Sequence, residues 1–152
     1  MTYYNGNITR TAYNKGLKGE SLFFEIYKHA LKAPDKVDYE QKIDAYLDGK
    51  SVAIKATYNQ RYNSFWVETA NLSGFGPDAW LNHDVDMVAF IDDINMEVIM
   101  VSATTLRSVI DNGDFFTMTN YRRKNGKMVH YRIKSIPKEV LKNETMVRGK
   151  LE

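Results

Sequence analysis

Asp44 and Lys55 flank the dipeptide Asp48-Gly49, and what chemistry they can do depends on whether one face of a strand pair receives both. A two-residue turn at Asp48-Gly49 sets Leu47 against Lys50, Asp44 against Ala53 and Lys42 against Lys55. Period two then gathers Asp44, Tyr46, Ser51, Ala53 and Lys55 on one face. Ile43, Ala45, Leu47, Val52 and Ile54, a core-forming set, take the other. The segment NSFWVETAN alternates aromatic and β-branched residues, so a third strand is expected around Phe65 to Ala70, antiparallel to 52–57. In that register Glu68 stands beside Lys55, with Trp66 on the same face and Phe65 and Val67 on the opposite one. Two acids and a lysine so placed suit metal-assisted hydrolysis. The carboxylates hold a hard cation such as Mg²⁺, and the lysine assists the attacking water or the developing phosphate charge. An Asp and a Lys outside a strand are ordinarily no more than a solvated edge. The sequence around this pair gives it a second reading.

Cations form a second group. Arg122, Arg123, Lys124 and Lys127 surround Asn125-Gly126, with Tyr121, His130, Tyr131 and Arg132 nearby. A basic hairpin with interleaved aromatics can track phosphates, although charged turns also serve solubility alone. Tyr58, Gln60, Arg61 and Tyr62 lie beside the Asp44–Lys55 group and can hold a nucleic-acid strand near it. The three histidines are dispersed without ligand spacing, and the absence of cysteine excludes disulfides, thiol nucleophiles and sulfur-ligated zinc. A formal charge of +2 does not by itself identify a nucleic-acid binder.

The elements that must position these residues fit within one domain spanning the 152 residues, and 43% hydrophobic content suffices for its core. No apolar run approaches a membrane span, and the opening MTYYNGNITRTAYNKG lacks the apolar stretch of a secretory signal. A soluble protein of the cytoplasm is expected. Residues 1–16 read as an irregular arm, followed by a helix over 18–32 that ends at Ala33-Pro34-Asp35. After the hairpin and third strand, loop signals fill 71–78. Apolar runs at 85–91 and 97–102 read as buried strands, and a short helix begins at Thr104 or Thr105. A basic hairpin over 115–134 precedes a helix started by Pro137. The expected class is α/β or α+β, with a central mixed sheet of about four or five strands flanked by helices.

The order of an acid on a helix, an Asp at a strand, a turn and then x-x-Lys resembles the PD-(D/E)XK nuclease superfamily and its restriction-endonuclease-like core. Glu20, Asp44 and Ala53-Ile54-Lys55 carry that order here. FWVETANLSGFGPDAWLNHDVDMVAFID is similar to small phage-encoded endonucleases, and KGLKGESLFFEIYKHA to the helix of Holliday-junction resolvases. The resemblance covers Lys15 to Leu106, and its motifs are short. It implies a phage-encoded, metal-dependent DNA endonuclease acting on branched or junction DNA as a homodimer, without a membrane. Asp44, Glu68 and Glu20 would hold Mg²⁺ or Mn²⁺, and Lys55 would orient or deprotonate water. DNA contacts would fall to Arg61, Tyr62, Arg122, Arg123, Lys124 and Lys127. Glu20 is preferred to Glu25 because it shares a helical row with Phe24, Tyr27 and Leu31, whereas Glu25 lies with Lys28 and Lys32; an acid there also favours the helix dipole. One position departs: Ala53 stands where the pattern has an acid. Three explanations are open. The acid has moved to Glu68, the chain is a binding-only relative, or an inactivating substitution has been introduced.

Overall fold

Asp48 and Gly49 both adopt positive φ, 52° and 80°, the backbone that a two-residue hairpin turn requires. In the computed structural model, which describes residues 10–144 and 147–150, this turn joins β2 (Ala45–Leu47) to β3 (Lys50–Lys55). The register is the expected one, Leu47 opposite Lys50 and Ala45 opposite Val52. The other side of β3 is taken by β6 (Met87–Asp92), which runs parallel to it with Lys55 opposite Phe90. This corrects the expected antiparallel pairing with the FWVET segment. Every residue of β6 is buried, as suits a central strand covered on both faces. The FWVET strand, β5 (Ser64–Asn71), instead carries a bulge between Glu68 and Ala70 and joins a second sheet.

The first sheet runs β1 (Leu31–Lys32), β2, β3, β6, β7 (Glu97–Ser102) and β10 (Val147–Lys150). The second runs β4 (Tyr58–Asn59), β5, β9 (Lys127–Pro137) and β8 (Phe116–Lys124). The class is α+β. Helix α1 (Arg10–Ile26) covers one face of the first sheet, packing Leu22 and Phe23, with Tyr27 just past its end, on Ala45, Val52, Ile54, Ala89 and Ile91. Gly19 permits the close approach: a Cβ there would lie 2.9 Å from that of Ala56. The opposite face carries Ala53, Val88, Phe90, Ile99 and Val101. They are covered by Phe65, Val67 and Ile136 of the second sheet, by Leu106 and Ile110 of α3 (Ala103–Asn112), and by Leu141 of α4 (Lys138–Asn143). Ile43, expected with the α1-facing set, belongs to this second core instead. It precedes β2, so strand alternation does not yet govern it.

Helix boundaries differ from those expected. Residues 10–16 are helical rather than an irregular arm, and residues 1–9 lie outside the described residues. Helix α1 stops at Ile26, and Leu31 is 68% exposed on β1 instead of extending an apolar helix side. Pro34 does not only end structure; it caps a further helix, α2 (Asp35–Gln41), with Asp35 and Asp38 in its first turn. Lys42 closes α2 in the left-handed region at φ 59° and turns the chain into β2. Helix α3 begins one step before the expected threonines, because the Ser102 hydroxyl accepts a hydrogen bond from the Thr105 N–H at 3.1 Å. No helix among the described residues is long and apolar enough to cross a membrane.

Candidate functional site

Asp44 is fixed by its own backbone before its carboxyl does anything. Its N–H donates to the Val52 carbonyl at 2.9 Å, and its carbonyl accepts from the Ala33 N–H at 3.0 Å. One carboxylate oxygen, Oδ2, then accepts the Ile54 N–H at 2.6 Å, bracing the end of the hairpin. Helix α2 brings Asp38 against the same carboxyl, and the two share a hydrogen bond. Burial and that second acid push the Asp44 carboxyl up to about 7, although the Ile54 N–H and the Lys55 charge pull the other way. Asp35, Asp38, Lys42, Asp44 and Lys55 together line an open cleft of about 440 Å³. It lies at the carboxyl ends of the parallel strands β3 and β6, the end at which open sheets commonly place ligand crevices.

Lys55 is the last residue of β3 and shares its face with Ala53. Its Nζ sits 4.8 Å from the centre of the Trp80 ring, a cation–π contact. Burial lowers its affinity for a proton, while the charges of Asp44 and Glu68 raise it and those of Arg122 and Lys42 lower it. Lys55 therefore stands within the fields of both acids with which the sequence grouped it. The route by which Glu68 arrives is different, since β5 reaches Lys55 from the second sheet.

Glu68 is 9% exposed, and both its oxygens are engaged. Oε2 pairs with the Arg122 Nε at 3.2 Å, and Oε1 accepts from the Trp80 N–H at 3.4 Å. Glu20 is not brought to the cleft. It rides on α1, which covers the opposite face of the sheet, and reaches Lys32 at 3.8 Å. The helical row that places Glu20 near the sheet places it on the wrong side of it. Among the described residues no three His, Cys, Asp or Glu side chains gather closely enough to hold a metal ion. The expected trio of Asp44, Glu68 and Glu20 is thus separated, and the acid beside Asp44 is Asp38. Its signal was the Asp-x-x-Asp spacing of DKVD just after Pro34, which sets two acids in one helical turn.

Strand alternation divides the basic hairpin between two faces. Arg122 and Lys124 lie with Val129, opposite which Arg122 pairs, on the side turned toward Glu68. Lys124 is held below the usual lysine range by burial and by the charges of Arg122 and Lys42, against the pull of Glu68. Lys127 lies on the same side, its Nζ 5.6 Å from the Phe75 ring centre. Arg123 points to the other face, where its guanidinium donates to the Gly126 carbonyl at 3.3 Å. The Arg61 guanidinium stacks 5.3 Å from the Tyr62 ring at the turn between β4 and β5, and neither residue lines the cleft.

A second charged group was missed in the sequence. Lys138, 7% exposed, donates to Asp92, which is fully buried, and pairs with Glu97 at 2.8 Å. Asp92 also accepts the N–H groups of Ile94 and Asn95, both at 2.9 Å. This group anchors α4 to the end of β6. No protein-family model, curated protein or solved structure matches this chain.

Proposed function

We propose that the cleft receives a phosphodiester backbone of DNA and hydrolyses it, as a metal-dependent endonuclease. The convergence of Asp44, Asp38 and Lys55 in one open cleft, with Arg122 and Lys124 near its rim, carries this reading. Two carboxylates are an adequate protein contribution for Mg²⁺ or Mn²⁺, which keep several waters and take remaining ligands from substrate phosphate. Asp44 and Asp38, already close enough to share a hydrogen bond, would hold the ion. When bound, it would supply charge neutralisation at the phosphoryl oxygens. Lys55 orients a water against the phosphorus and meets the charge that develops there, its Nζ steadied over the Trp80 ring. Lys42, Arg122 and Lys124 hold the flanking phosphates. Glu68 serves by pinning Arg122. Two copies acting together on branched DNA would cut its strands symmetrically.

A second reading, a binding-only protein on the same scaffold, is favoured by Ala53. It is 3% exposed and packed among Val88 and Phe90, where the superfamily pattern has an acid. Incubation of branched and linear DNA with Mg²⁺ or Mn²⁺ separates the two. The endonuclease reading expects cleavage by the wild type and its loss in both Asp44→Ala and Lys55→Ala. Salt-sensitive binding without cleavage, unchanged by Ala53→Asp, supports the second reading and rejects the first.

A further inference from the structure

Positive charge in this chain is segregated. Residues 116–137 hold six of its 21 lysines and arginines and none of its 19 acids, so the remainder has a formal charge of −4. The hairpin of β8 and β9 that carries this charge has one face closed and one open. On the closed face Val129 and Tyr131 are buried with Ala79, and the Tyr131 hydroxyl donates to the Pro77 carbonyl at 2.8 Å. Residues of the open face pair across the strands as Tyr121 with His130, Thr119 with Arg132 and Thr117 with Lys134. Arg123, opposite Met128, completes the row. Tyr121 remains 58% exposed, yet its ring is held by the edge of His130, with centroids 4.5 Å apart at 73°. Core packing does not require these residues.

We infer that this open face is a second nucleic-acid surface, distinct from the cleft, which takes a strand with unpaired bases. Arg123, Arg132 and Lys134 engage its phosphates, and Tyr121 stacks on a base. The chemistry favours nucleic acid over an acidic protein because cations alternate with a preoriented aromatic ring. Every base offers a π-face to such a ring, whereas a string of carboxylates does not. The Thr119 hydroxyl adds a donor suited to phosphate oxygens, whereas that of Thr117 is already given to the Phe115 carbonyl at 2.9 Å. This inference rests on the reading of the chain as a DNA-acting protein, and supplies it with a grip on the single-stranded part of a branched substrate.

Fluorescence anisotropy with a labelled single strand and its duplex, titrated with salt, tests the inference. Combining Arg123→Gln, Arg132→Gln and Lys134→Gln should make the salt slope for the single strand shallower by about 2, at roughly 0.7 per phosphate contact. Tyr121→Ala should weaken single-strand binding by roughly five- to a hundredfold, and duplex binding much less. If the combined variant does not fold, Arg132→Gln alone should reduce the slope by about 0.7. Unchanged slope and affinity in these variants, with binding lost in Lys55→Ala, overturn the second surface and leave the cleft reading standing. Equal weakening for single strand and duplex overturns the assignment to unpaired bases. Absence of DNA binding by the wild type overturns both readings.

Discussion

Asp44 performs two duties with one carboxyl, and they respond oppositely to pH. As an acceptor for the Ile54 N–H it braces the hairpin, and as a partner of Asp38 it is held protonated well above the ordinary carboxylate range, to about 7. Because the folded value lies above the unfolded one, its contribution to stability is full below about pH 4 and is lost as pH rises through about 7. Asp44→Asn keeps an acceptor for Ile54 and gives Asp38 a permanent donor. It should therefore raise the melting temperature relative to wild type at about pH 8 and change it little at about pH 4. An equal shift at both would reject the shared proton. Calorimetry with Mg²⁺ at about ten times its Kd should show the wild type gaining about 1.4 kcal/mol, and Asp44→Asn gaining almost nothing. The Asp44–Lys55 grouping was legible because Asp-Gly dictates the hairpin register. Asp38 was not legible as its partner, since Pro34 reads equally as a helix stop and as a helix cap.

Elements set which of the remaining acids could join. The parallel partner of β3 was hidden because sequence neighbours usually pair, and the uniform burial of β6 outweighed that habit. Glu68 consequently approaches Lys55 from another sheet, and its ion pair with Arg122 couples that sheet's outermost strand to the cleft. Arg122→Ala would leave the nearly buried Glu68 carboxylate with the Trp80 N–H and the more distant charges of Lys55 and Lys124. Because the Arg122 side chain is 44% exposed, a loss of only about 1 kcal/mol is expected in chemical denaturation. Glu68→Gln in the same chain should restore part of it. A loss that the second change deepens would show that the pair does not clip the hairpin. The basic hairpin itself was plain from Asn125-Gly126, but its division into two faces needed the register.

Across the whole molecule, α4 is tied to the first sheet at Asp92, Glu97 and Lys138. Burial alone would raise the Asp92 carboxyl, but hydrogen bonds from Lys138 and Asn95 outweigh it and hold it below the ordinary range. Burial would likewise lower Lys138, and its two carboxylate partners raise it instead. Their linkage therefore limits stability at both extremes. The Asp92 share is lost as pH falls through its depressed value, and the Lys138 share as pH rises through its elevated one. Lys138→Ala strands a buried carboxylate and should cost about 3–5 kcal/mol by urea denaturation, far more than the exposed Lys36→Ala. Similar small costs for both would mean the cluster is not held as described. Nothing in the spacing of these residues announced the cluster, because α4 meets β6 only through long-range packing.

The parallel seam between β3 and β6 also bears on the order in which the protein forms. A two-residue hairpin such as β2–β3 can close within microseconds, before the rest of the chain has organised. The seam must wait for a loop of about 30 residues to close, a loop that contains β4 and β5. Since Lys55 stands at that junction, the cleft should mature late in folding. Mutations at the seam would then speed unfolding more than they slow refolding, a chevron signature.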